Sequence, residues 1–222
     1  MMVRKLILGT YDTHLLGPWT LSSWSLSAPE YQSNFVDVPG RDGPLDLSTA
    51  LTDGEPRYGS RTLTATLERS DGTRLGRENA INAMINVLDG WRMDIRLPDD
   101  DAHYITGRVH VAREYNDLAH AAVTVTAICD PWRYNDYDTV VSLTAGAETQ
   151  TGRLVNKGRR AVVPKVQVSG EGASVLLSFG AASWALSAGT YQLPDLVVSQ
   201  GGIFVDYSGA GELTFTYREA VL

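Results

Sequence analysis

Alternation of apolar and polar positions dominates the chain. In Arg61-Thr-Leu-Thr-Ala-Thr-Leu-Glu68, Leu63, Ala65 and Leu67 fall on one face and Thr62, Thr64, Thr66 and Glu68 on the other, the period-2 pattern of a half-buried strand. Tyr31–Val38, Trp91–Leu97, Tyr104–Arg113 and Ala121–Ile128 carry comparable patterns. Residues 92–106 read as two strands joined by a polar turn at Pro98–Ala102. One segment has a different period. Ile81, Met84, Ile85 and Leu88 recur at i, i+3, i+4 and i+7, an apolar stripe that predicts a helix over about 77–89, with Gly90 as its left-handed C-terminal stop.

Beyond Cys129-Asp-Pro-Trp-Arg-Tyr134 the helical signal disappears. Short strands are predicted at Thr139–Thr144, Thr151–Asn156, Val162–Ser169, Ser174–Phe179, Ser183–Leu193, Asp195–Val198, Gly202–Tyr207 and Glu212–Glu219. Glycine-containing breaks such as Ser169-Gly-Glu-Gly172 and Ser208-Gly-Ala-Gly211 separate them. Many short strands with regular turn signals indicate a β-sandwich or jelly roll. The expected fold class is therefore mainly β in two domains: residues 1–134, α+β with one helix, and residues 135–222, a sandwich. No Pro/Ser-rich linker lies between them.

Composition supports a folded chain and narrows its partners. Of 222 residues 43% are hydrophobic and 20% charged, well away from disordered composition. A net charge of -7 without Lys/Arg runs argues against nonspecific binding to nucleic acid or anionic membrane. The single cysteine, Cys129, sits in the apolar run starting at Val123 and is expected to be buried, not catalytic. The apolar segment Leu6-Ile-Leu8 is too short for a signal-peptide core. No apolar run reaches the ~20 residues that span a bilayer, so the expectation is a soluble protein made in the cytoplasm.

The search for chemistry is mostly negative. Phosphate-loop, dinucleotide and nucleophile-elbow strings are all absent. Asp99-Asp-Asp-Ala-His103 offers metal-ligand types, but consecutive residues at a hairpin tip splay outward, and a solvated turn is the better reading. His110 alternates with Val109 and Val111 and should face away from the core. Asp37, Asp42 and Asp46 offer carboxylates for glycoside hydrolysis, while Asp42, between Arg41 and Gly43, is equally a turn residue. Trp184, Tyr191 and Tyr207 offer a sugar platform, though isolated aromatics on sandwich strands more often fill a core. No enzyme, metal or cofactor is expected.

Taken in order, several motifs resemble the distal tail protein (Dit) family of long-tailed bacteriophages. They are Asn34-Phe-Val-Asp-Val-Pro-Gly-Arg-Asp-Gly-Pro-Leu-Asp-Leu-Ser48, the strand from Arg61, the helix ending Ile85-Asn-Val-Leu-Asp-Gly90 and the hairpin leading to Tyr104-Ile-Thr-Gly-Arg108. Cys129–Tyr134, Leu154-Val-Asn-Lys-Gly158, Val163–Gly170 and a final hairpin through Val205–Gly211 to Tyr217-Arg-Glu219 continue the series. The resemblance implies a ring-forming belt domain over 1–134 and a galectin-like β-sandwich over 135–222. It further implies a homo-hexameric ring in the virion tail tip or baseplate, assembled in the bacterial cytoplasm. The ring would join the tail tube protein to the tail-associated hub protein, next to a receptor-binding protein, with a lumen for the tape-measure protein and DNA. The alternative it leaves is a lectin-like module recognising the host cell wall. Under the first reading Pro39, Gly40, Arg41, Asp42, Gly43, Arg57 and Tyr58 are the subunit-packing candidates. Residues 52–60 are either an arm reaching an adjoining subunit or a plain surface loop.

Overall fold

The period-2 segments of the N-terminal half become one antiparallel sheet. The computed structural model describes residues 5–52, 54–98 and 100–222, and the chain divides into two units at Arg133 and Tyr134. The first unit contains β1 (Ile7–Leu8), β2 (Tyr11–Asp12), β3 (Thr20–Leu26), β4 (Phe35–Val36), β5 (Leu45–Asp46), β6 (Arg61–Arg69), α1 (Arg74–Leu88), β7 (Arg92–Arg96), β8 (His103–Asn116) and β9 (Ala121–Asn135). The strand order is β2-β1-β7-β8-β9-β6-β3, with β4 and β5 forming a separate two-stranded ribbon.

The alternation decides which face is buried. Leu63, Ala65 and Leu67 of β6, Ile105, Val109 and Val111 of β8, and Val123, Val125 and Ala127 of β9 form one core with Trp19 and with Ile81, Met84 and Leu88 of α1. Burying each such large side chain is worth about 1.5–3 kcal/mol. The other face carries two rows of hydroxyls, with exposed Ile128 beside them. Ser23 lies opposite Thr66, which lies opposite Thr124, and the next row is Ser25, Thr64 and Thr126.

The helix begins at Arg74, three residues before the predicted start, because Thr73 caps it: its Oγ1 accepts from the Gly76 amide at 3.1 Å. It ends as expected, with Gly90 at φ 79° just past the last turn. The stripe holds a surprise at its first position. Arg77 is only 1% exposed. Its Nη1 donates to Gly72 O at 2.8 Å and to Asp71 O at 3.4 Å, and its Nη2 donates to Asp117 O and Leu118 O, both at 2.9 Å. One guanidinium thus clasps two loops to the helix.

One prediction in this unit fails, and one strand was not anticipated. Tyr31–Val38 is not a continuous strand: Phe35–Val36 pairs with Leu45–Asp46, Tyr31 makes only an isolated bridge to Tyr58, and every residue from Tyr31 to Val38 is exposed. Strand β3 carries no sequence alternation because its register shifts between Leu21 and Ser23, so Leu21, Trp24 and Leu26 reach the same face at uneven spacing.

The second unit holds β10 (Thr139–Ala145), β11 (Gln150–Leu154), β12 (Lys165–Phe179), β13 (Ala182–Ser187), β14 (Gly189–Gln192), β15 (Ile203–Tyr217) and β16 (Ala220–Val221). Its sheet runs β10-β15-β12-β13, with β11 also on β15 and β14 also on β12. Here β12 and β15 are each one long strand where two were predicted. The glycine "breaks" are bends: the β12 register shifts between Ser169 and Ser174, and opposite it Gly209 and Gly211 hold φ of 121° and 129°. Each long strand folds over at this corner. Val166 and Val168 then meet Val175 and Leu177, and Leu213 and Phe215 meet Val205 and Tyr207, in one core. Two further predicted strands change. Ser183–Leu193 splits into β13 and β14, and Asp195–Val198 retains only a bridge between Val198 and Val162.

A buried amide closes this unit's loops. Asn156 Nδ2 donates to Arg160 O at 2.8 Å and Val198 O at 3.0 Å, while Oδ1 accepts from the Gly158 amide at 2.9 Å. Asn156→Ala strands those three groups and should destabilise the chain by about 2–3 kcal/mol in chemical denaturation, with an unchanged m-value.

Candidate functional site

The predicted packing residues lie on one excursion, residues 31–58, that leaves the sheet after β3 and returns just before β6. Its neck is closed by local pairing: Tyr31 bridges Tyr58, Gln32 N donates to Arg57 O at 2.9 Å, and Gly59 N donates to Glu30 O at 2.7 Å. Three aromatic rings brace the neck edge to face, Tyr31 against Tyr58 at 6.3 Å and Tyr58 against Trp132 at 5.5 Å. Further out, β4 and β5 form a short ribbon, tied where Leu47 N donates to Asn34 O and Asn34 N to Ser48 Oγ, both at 2.8 Å.

The turn at the ribbon's end carries Pro39, Gly40, Arg41, Asp42 and Gly43, all exposed. Arg41 N donates to Val38 O at 3.2 Å, and Gly40 and Gly43 sit at φ 84° and 76°, conformations that L side chains resist. The structure therefore brings these five together at one tip, while Arg57 and Tyr58 belong to the neck. The apolar side chains of the excursion were not anticipated as surface. Phe35 is 58% exposed and Leu51 90%, with Tyr31, Val36 and Val38 also open to solvent. A ribbon this short buries almost nothing of its own, so these apolar side chains stay open to solvent.

Asp37, Asp42 and Asp46 stand on the exposed ribbon. The Ser48 hydroxyl and amide hold the Asp46 carboxyl below the usual carboxylate value, the wrong direction for a general acid. Asp99 lies outside the described residues. Asp100 is engaged on both oxygens, with His103 Nδ1 at 2.8 Å and Arg133 Nη1 at 3.1 Å. Among the described residues no group of three His, Cys, Asp or Glu side chains converges as a metal site. Cys129 is buried and bonded to Ala127 O at 3.6 Å, and burial pushes its thiol up to about 11. His110 points outward to Asp89 Oδ1 at 2.7 Å. Tyr207 is buried, and Trp184 and Tyr191 pack against the second core, which dissolves the sugar platform built on those three.

Several carboxyls answer to hydrogen bonds of this kind. Asp89 is lowered first by the Val111 amide and then by His110, and Asp117 by the amides of His120 and Ala119. Groups held below the unfolded value of 3.8 contribute stability that is present above that pH and is lost as pH falls through their folded values. Thermal midpoints should be flat from pH 6 to 8 and fall below about pH 4; a midpoint that rises on acidification contradicts this assignment.

No family model matches the chain, and no curated protein matches it. Among solved structures it is similar to the crystal structure of the SPP1 Dit protein (gp 19.1), described as a paradigm of the hub adsorption apparatus in phages infecting Gram-positive hosts. The two share 12% sequence identity, with a TM-score of 0.68 over 96% of this chain and 98% of that one. Over nearly its whole length, then, this chain has the mainly-β fold of the SPP1 Dit protein.

Proposed function

We propose that this chain is a structural hub protein of a distal phage tail. Six copies of the belt unit close a ring between the tail tube and the tail hub, and a lumen is left for tape measure and DNA. The observation that carries the reading is the likeness to SPP1 Dit across both units, since a shared single domain would say far less about role. The excursion at residues 31–58 supports it: its apolar ribbon and the charged tip at Arg41 and Asp42 suit a heterologous contact, in which one patch meets a different patch on the next copy. Edge strand β3, whose far side has no strand partner among the described residues, supplies a second closing element.

The hydroxyl face of Ser23, Ser25, Thr64, Thr66, Thr124 and Thr126 faces the lumen in this reading. The two rows of short hydroxyls offer a passing polymer little apolar or basic hold, with exposed Ile128 and Arg108 bordering them on the same face.

Negative-stain images of the purified chain at high concentration should show sixfold rings; a persistent monomer would overturn the ring. Replacing residues 34–48 with a short linker should leave both units folded but give monomers. A gold label on Thr126→Cys should project on the ring axis, and a label at the rim would reverse the assignment of faces.

A further inference from the structure

At the start of β6 the core face carries a charge. Arg61 has the parity of Leu63, Ala65 and Leu67, so its side chain turns inward, and it is only 9% exposed. Its Nε donates to Ser27 O at 2.7 Å, whereas its Nη1 is buried and meets no acceptor. Across the ladder Arg61 pairs with Cys129, and strand alternation returns Arg133 to the same face of β9. Arg133 in turn holds Asp100, which already serves His103. Burial first, and the neighbouring Arg133 charge second, lower the Arg61 pKa.

A buried guanidinium beside a second guanidinium, with no carboxylate bonded to it among the described residues, is an uncompensated charge. The planar fork of arginine matches the two oxygens of a carboxylate or phosphate, and an oxyanion there would satisfy Nη1 and offset the like-charge repulsion. We infer that Arg61, with Arg133 beside it, forms an oxyanion-binding site, completed either by a free anion or by a side-chain carboxylate of a second copy.

The test uses the full chain with acetate and inorganic phosphate as probes, against chloride at matched ionic strength. In dilute, dispersed protein the wild-type melting midpoint should rise saturably by several degrees with millimolar probe. Arg61→Met should abolish that rise, and Arg61→Lys, which keeps the charge without the fork, should reduce it by more than half. Equal responses in wild type and Arg61→Lys overturn the site even if Arg61→Met fails to fold. Sedimentation separates the sources. If the carboxylate comes from a second copy, Arg61→Lys and added acetate each weaken self-association about tenfold; if the anion is free, association is unchanged while the midpoint still rises. Because the melting arm needs no assembly, failure of the ring reading does not decide it.

Discussion

Gly209→Ala is expected to unfold the second unit selectively, with a loss of at least about 3 kcal/mol. Two independent causes act at this position. Its φ of 121° lies where L side chains are strained, and an added Cβ would fall on the carbonyl oxygen of Ser174 in the adjacent strand. That oxygen belongs to the backbone of the bend in β12, so it cannot swing aside as a flexible side chain would. For a unit of this size the melting midpoint should drop by roughly 12 °C or more. Gly201→Ala separates the two causes, because Gly201 has φ 87° but nothing within 4 Å of its Cβ position. It should cost only the conformational strain, about 1–2 kcal/mol. Equal losses at the two sites would mean that the close crossing of β12 and β15 is not what requires glycine.

The second large effect is expected at Arg77. Arg77→Met removes hydrogen bonds to four backbone carbonyls in two loops while roughly keeping the side-chain volume. Bonds from a charged donor are worth about 1.5–3 kcal/mol each in isolation, but these loop carbonyls can recover water, so a net loss of about 3 kcal/mol is expected. The loss should appear in the first unit's transition, with faster hydrogen exchange around residues 70–73 and 117–120. Arg74→Met, three residues earlier on the exposed side of the same helix, is the control and should stay within about 0.5 kcal/mol of wild type. If both variants melt together, the clasp contributes nothing.

Much of the first unit was readable because its code is local. The alternation at 61–68 and the stripe at Ile81, Met84 and Leu88 name their buried faces directly, and the same alternation sends His110 outward and Cys129 inward. Even Arg77 had a signal, since it occupies the stripe four residues before Ile81; its cationic character hid it, because burial needs acceptors that only distant loops supply. Strand β3 was hidden by its bulge, which breaks period 2. The tip of the excursion was visible as a Gly/Pro turn, but its apolar flank reads in one dimension like a buried strand.

Sequence by itself thus determined the helix, the core faces of the central strands, the turn at Pro39–Gly43 and the mainly-β class. These depend on periodicity and on the backbone freedom of single residues. Only the tertiary structure decided three further matters. The glycines at 209 and 211 bend one strand and do not end two, because the neighbouring β12 bends beside them. Phe35, Val36 and Leu51 face solvent, because none of the described residues of their own unit covers them. And Arg61 lies buried beside Arg133, because pairing across β6 and β9 joins residues far apart in the chain, where no local pattern can place two charges together.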